Sequence, residues 1–135
     1  MFACDRVSNG QSPYDKCSDF KKSSFQQRNF MNVCRSLAAK SPLTHKHGCV
    51  VVKDKKIIAT GFNDKSTTKS RNSIHAEISA LRKVKHLVDH TCTMYVVRHG
   101  PSECDYKYSK PCATCSAMIR KCKIRTVFYS INSYA

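Results

Sequence analysis

The sequence predicts an α/β protein, with a central mixed sheet flanked by helices. Three observations predict it. From residue 75 onward, segments of helical period alternate with short apolar runs, the pattern of parallel strands joined by right-handed crossovers. Before them, two apolar runs are separated by a tight polar turn, which reads as an antiparallel hairpin. Before the hairpin lies a helical stripe. The 135 residues suffice for one domain and not for two.

Residues 1–18 are polar, contain Gly10 and Pro13, and show no period, so they read as an extended arm. The domain proper is expected over 19–135. Residues 19–40 carry Phe30, Met31, Cys34, Leu37 and Ala38 at the i, i+1, i+4, i+7, i+8 spacing of a core-facing helix, and Pro42 stops it. Residues 49–52 (CVVV) and 57–62 (IIATGF) are the hairpin strands about an Asp54-Lys55 turn. His45 and His47 precede them; an H-x-H pair can bind metal, but here it reads as part of a solvated loop. Ile78, Leu81, Val84, Leu87 and Val88 continue a helix that starts at His75. Residues 92–97 (CTMYVV) form an apolar run suited to a central, buried strand. A helix from Cys112 to about Lys121 turns Cys115, Met118, Ile119 and Cys122 to one face, and 124–130 is the last strand.

Chemistry is concentrated in His75-Ala76-Glu77 and in Pro111-Cys112-Ala113-Thr114-Cys115. One imidazole and two thiolates suit Zn2+, and three protein ligands leave a fourth position open, the mark of a catalytic site. A structural site would need a fourth ligand, and no second CxxC or CxxH exists. Cys112 and Cys115 stand one helical turn apart. Pro111 suits a first helical turn because its missing N–H would be unbonded there anyway. The positive end of the helix favours thiolate over thiol. Glu77 is placed near the metal and is the candidate base for a proton released from water.

H-A-E followed by P-C-x-x-C resembles the signature of the zinc-dependent cytidine and deoxycytidylate deaminase superfamily. Ala80, Leu81 and Ile119 extend the match, which covers about residues 20–130. The resemblance implies a three-layer α/β/α fold of the cytidine-deaminase type with four or five strands. It implies His75, Cys112 and Cys115 as zinc ligands and Glu77 as the catalytic carboxylate. The reaction implied is hydrolytic deamination of a cytosine-containing nucleoside or nucleotide, cytosine to uracil with release of ammonia. Asn63, in Gly61-Phe62-Asn63, corresponds to an amide that contacts the substrate sugar, and Ala76 to a residue whose backbone positions the base. Family sheets usually have a fifth strand after the fourth, yet the chain ends five residues past Ser130. Four strands, an edge covered by residues 1–18, or an edge covered by a partner chain all remain open, and a homo-oligomer is expected. Family members that act on dCMP often carry a longer zinc-bearing insertion, absent here between Asn63 and His75. Lys110 stands where other branches have Glu, Ser or Phe.

Twenty-four Lys and Arg against nine Asp and Glu give a net charge of +15. That field attracts an anionic partner: a nucleotide phosphate, RNA or single-stranded DNA. The basic residues are spread along the chain and locate no groove. Lys65, Lys69 and Arg71 are expected to rim the site. Tyr106, Lys107, Tyr108 and Lys110 read either as a base-stacking, phosphate-holding segment or as a plain surface loop. A mean hydropathy of −0.47 and the lack of a long apolar run or signal-type N-terminus lead to the expectation of an intracellular, cytoplasmic protein with no membrane partner. The nine cysteines are expected to be reduced. Cys34, Cys49, Cys92 and Cys122 read as small hydrophobes, and Cys4, Cys17 and Cys104 as incidental. Three functions stand in competition: a small-molecule deaminase, a deaminase of RNA or single-stranded DNA, and a non-catalytic binding module stabilised by zinc.

Overall fold

A computed structural model of the chain describes residues 2–6, 15–17, 25–65, 73–100 and 106–131. Its elements in order are β1 (Phe2–Arg6), β2 (Asp15–Cys17), α1 (Phe25–Ala38), β3 (Lys46–Lys53), β4 (Lys56–Phe62), α2 (Ala76–Val84), β5 (Thr93–His99), β6 (Tyr106–Lys107), α3 (Ala113–Lys121) and β7 (Thr126–Ser130). All seven strands join one sheet in the order β2-β1-β7-β5-β3-β4, with β6 added to β5.

Alternation along the central strands separates the layers. Cys49, Val51, Met94, Val96, Val127 and Tyr129 face α2 and α3, where Ala76, Ala80, Leu81, Val84 and Ile119 complete one core. Val50, Val52, Tyr95, Val97 and Phe128 face α1 and pack on Met31 and Cys34. The Tyr95 ring lies between Phe30 and Phe128, at 5.2 and 5.0 Å between centroids. This is the three-layer α/β/α arrangement. β5 and β7 run parallel, from Thr93↔Thr126 to Val96↔Tyr129, as the helix–strand alternation requires. β3 is antiparallel to both β4 and β5.

The sheet has three strands more than the four legible in the sequence. β1 pairs antiparallel with β7 from Phe2↔Ser130 to Arg6↔Thr126, so the edge of β7 is covered by the chain's own first residues. β2 then lies on β1. β6 is two residues long and takes over the edge of β5 at Arg98 and His99, beyond the last β7 partner. None of the three has length or alternation enough to signal itself. Cys4, expected to be incidental, is 3% exposed and belongs to the α1-side core. Leu87, expected on the buried stripe of the second helix, is instead exposed, because α2 ends at Val84 with its C-cap at Lys85. Cys4, Cys34, Cys49, Cys92, Cys112, Cys115 and Cys122 are free thiols. Cys104 lies outside the described residues.

Two glycines set how closely the helices approach the sheet. A Cβ on Gly48 would stand 1.9 Å from the Cys34 carbonyl oxygen of α1. A Cβ on Gly61 would stand 2.5 Å from the Ala76 carbonyl oxygen and 2.7 Å from the Ala80 nitrogen of α2. The hairpin turn places both Asp54 (φ 52°) and Lys55 (φ 65°) in the left-handed region, the requirement of a two-residue turn matched to strand twist. A side chain there costs roughly 1 kcal/mol that glycine avoids, partly offset by glycine's freer unfolded state. Lys55→Gly is therefore expected to stabilise the fold by about 0.5 kcal/mol, read as a higher midpoint in thermal unfolding. An unchanged or lower midpoint would contradict this account of the turn.

Candidate active site

Two helices begin at one place. After β4 the chain leaves through Asn63 and returns at Ser73. Asp64 and Ile74 exchange backbone hydrogen bonds of 3.1 and 2.8 Å, which fixes the start of α2 against the end of β4. His75 is the N-cap of α2 and Cys112 the N-cap of α3, both with extended backbone. An N-cap side chain ordinarily accepts a bond from its own helix; neither does here. Both are turned toward each other instead. Pro111, expected in the first turn, lies one residue before the cap, since α3 begins at Ala113.

His75 Nδ1 is 3.2 Å from Cys115 Sγ and 3.6 Å from Cys112 Sγ. The three donor atoms all lie within 4.8 Å of one another. Tetrahedral zinc with ordinary Zn–N and Zn–S bonds sets nitrogen and sulfur about 3.5 Å apart. The observed separations bracket that value, and the donor set of one imidazole and two sulfurs suits the ion, so the residues fit it. Ligation through Nδ1 assigns the ring proton to Nε2. Cys115 is buried, whereas Cys112 and His75 are exposed.

Glu77, in the first turn of α2, is 5% exposed. Burial raises its carboxyl pKa, against smaller lowering effects from its own backbone N–H, the His75 charge and Cys115. The helix N-terminus was expected to favour the Cys115 thiolate. In the protein alone the opposite holds: burial, then the Glu77 charge, push the Cys115 thiol up. Two adjacent acids in one dry site cannot both ionise without a cation, and a divalent ion between them supplies it.

A cavity of about 330 Å³ opens over the cluster. Glu77 is the one carboxylate lining it among the described residues, and Asn63, Ala76, His47, Ser109 and Lys110 form part of its wall. Asn63 is buried, and its carboxamide is held at both ends: the His47 N–H donates to Oδ1 at 2.8 Å, and Nδ2 donates to the His45 carbonyl. Ala76 is fully buried as the first residue of α2.

His47 is not the solvated loop residue expected. Strand β3 starts earlier than its apolar run, at Lys46, so His47 occupies a strand position that faces the cavity. Burial, then the nearby Arg98 charge, lower its pKa to about 4, so it is neutral at pH 7. Ser109 and Ser130 were also missed. Both are buried; Ser130 N–H donates to Ser109 Oγ at 2.8 Å, Ser109 Oγ donates to the Val96 carbonyl at 3.0 Å, and Arg98 N–H donates to Ser130 Oγ at 3.0 Å. This network ties the segment leading to Cys112 onto the ends of β5 and β7. A serine in a polar loop, like Ser109, or at the end of a strand, like Ser130, carries no signal by which sequence reading could have found it. Of the basic loop expected to rim the site, Lys65 is exposed, while Lys69 and Arg71 lie outside the described residues.

Fold and site together define a class: three-layer α/β/α hydrolases that gather one metal ion at the meeting point of two helix starts, with a buried carboxylate beside it. The chain belongs to the family described as the cytidine and deoxycytidylate deaminase zinc-binding region, whose model matches residues 24–131. Among solved structures it is similar to the dCMP deaminase of the cyanophage S-TIM5 in apo form, at 23% identity over 72% of this chain and 75% of that one, with a TM-score of 0.56. It is similar to the cytidine deaminase of Burkholderia pseudomallei at 18% identity over 68% and 72%, with a TM-score of 0.53. It is similar to the guanine deaminase of Bacillus subtilis at 25% identity over 77% and 63%, also with a TM-score of 0.53. The first two likenesses establish the fold alone. Curated protein sequences provide no match. The protein is thus a zinc-dependent hydrolase of the deaminase superfamily, acting on a nucleobase-type substrate. No helix among the described residues is long and apolar enough to cross a membrane.

Proposed function

We propose that the protein hydrolyses the exocyclic C4–NH2 bond of a cytosine ring carried by a nucleoside or nucleotide, giving uracil and ammonia. The observation that carries this reading is Glu77: a buried carboxylate, alone in its cavity among the described residues, beside three metal donors. His75, Cys112 and Cys115 would hold zinc, which when bound supplies Lewis acidity that lowers the pKa of water. Glu77 takes the proton that water loses on attacking C4 and delivers it to ring N3. Glu77 then takes the proton of the new C4 hydroxyl and gives it to the departing amino group as the C4–N bond breaks, so Glu77 ends as it began. Its raised pKa suits it to both directions of transfer.

The cavity volume is near the lower limit of about 300 Å³ for small-ligand sites, which suits a base with its sugar. Asn63, held rigid by β3, and Ala76, at the head of α2, are assigned to substrate contact. His47 presents an uncharged imidazole able to donate or accept one hydrogen bond. A purine reading is favoured by one observation, the 25% identity to a guanine deaminase over 77% of this chain. Zinc-loaded protein assayed for ammonia release from cytidine, deoxycytidine, CMP, dCMP, guanine, adenosine, and single-stranded DNA and RNA decides between them. Turnover of the small cytosine substrates is expected. Release from guanine or adenosine alone would replace the proposal with the purine reading, and release from polynucleotides alone with an editing one.

A further inference from the structure

Against the catalytic cavity lies a second one, of about 500 Å³, which shares Thr44 and His45 with it. Its wall includes Lys46, Arg98 and Lys107, with His45 and His99, and no carboxylate among the described residues. The sheet register brings these groups together: Lys46 pairs with His99 across β3 and β5, and Arg98 with Lys107 across β5 and β6. Like charges placed directly opposite one another destabilise a sheet. None of the three cations has an ion-pair partner among the described residues, where the one salt bridge is Lys53–Asp89. Lys46 Nζ donates to the Ser41 carbonyl, and the Arg98 guanidinium meets His45 Nδ1. Each therefore keeps further N–H donors: an ammonium has three and a guanidinium five. The cavity lies at the carboxyl end of β5, where open α/β sheets bind ligands.

We propose that this second cavity binds the phosphate of the substrate, so that the base enters the catalytic cavity while the phosphate rests among Arg98, Lys46 and Lys107. This rests on the deaminase reading above and narrows it: the preferred substrate is a phosphorylated nucleotide and not the free nucleoside. Arg98 supplies the planar fork suited to two phosphate oxygens, and the lysines supply point charges. The cross-strand repulsion is relieved when the dianion arrives.

The test compares kcat/KM for dCMP and for deoxycytidine in zinc-loaded wild type, Arg98→Gln and Lys107→Gln. Losing one charged hydrogen bond to phosphate is expected to lower the dCMP-to-deoxycytidine ratio about tenfold or more. Lys107 lies on a two-residue strand, so its variant guards against misfolding of Arg98→Gln. Methyl phosphate, titrated calorimetrically, is expected to bind wild type, to bind Lys107→Gln more weakly, and to compete with dCMP but not with deoxycytidine. An unchanged ratio in both variants overturns the proposal. If methyl phosphate binding is nonetheless lost in them, the cavity serves a separate phosphate ligand, not the substrate. If wild type releases ammonia from neither compound, the same ratio is read with CMP and cytidine; release from none of the four overturns the cytosine reading instead, and methyl phosphate binding still decides whether the anion site exists.

Discussion

Glu77→Gln is expected to lower ammonia release by about 10²–10⁴-fold, the usual contribution of a positioned general acid–base, while one zinc per chain is retained. Glutamine keeps the shape of the side chain and one acceptor oxygen and removes the titrating group. Metal analysis and turnover on the same sample separate the two roles. Retained activity would remove Glu77 from the mechanism, and lost zinc would make it a ligand. Stability gives an independent reading. The folded pKa of Glu77 is raised, chiefly by burial, so its neutral form suits the fold. Its contribution to stability is full below the unfolded carboxyl value of about 4.3 and is lost as pH rises through the folded value. Metal-free Glu77→Gln is therefore expected to melt above metal-free wild type at pH 7, with the difference closing as pH falls toward about 4. A wild type that is more stable at pH 7 would contradict a carboxylate whose burial outweighs its hydrogen bonds and the His75 charge.

Gly61→Ala is expected to weaken zinc binding. Its Cβ would meet the Ala76 oxygen at 2.5 Å and the Ala80 nitrogen at 2.7 Å, backbone atoms that cannot rotate aside. Either the first turn of α2 moves, carrying His75 and Glu77 away from Cys112 and Cys115, or the fold loses about 1–3 kcal/mol as an overpacked core does. Gly48→Ala is the matched control. Its contact, 1.9 Å to the Cys34 oxygen, is closer, yet it falls on α1, on the other face of the sheet from the cluster. It is expected to cost at least as much, about 3 kcal/mol, a large part of the stability of about 5–15 kcal/mol of a typical domain. Chemical denaturation gives the stability loss in each, and competition with a chromophoric chelator gives zinc affinity. If Gly48→Ala weakened zinc as much as Gly61→Ala at equal folded fraction, coupling through the start of α2 would be refuted.

The elements flanking the site were legible because their own residues specify them. The stripe of α1 buries Met31, Cys34 and Ala38, and β5 buries Met94 through Val97 without a break. His75 and Cys112 are helix starts, as the spacing around them indicated. The three residues that could hold zinc were legible for another reason: soft ligands at fixed spacing are rare, and few chemistries need them. What stayed hidden depends on partners distant in sequence. β1 is a strand because the free edge of β7 accepts it, not because FACDR demands it. His47 faces the cavity because β3 is paired with β5 from Lys46↔His99 onward and with β4 from Gly48↔Phe62. The basic second cavity exists because β3, β5 and β6 end together, and no local reading of a dispersed positive charge could place it.

Read alone, the chain determined its layers and the residues of the cluster positioned for a metal ion, since period and ligand type are properties of neighbouring residues. The tertiary structure alone decided which uncharged and cationic side chains share the cavities with those donors, and how ionisable Glu77 and Cys115 are. Those properties arise from burial and from charges brought close across the sheet, and burial is a property of the whole fold.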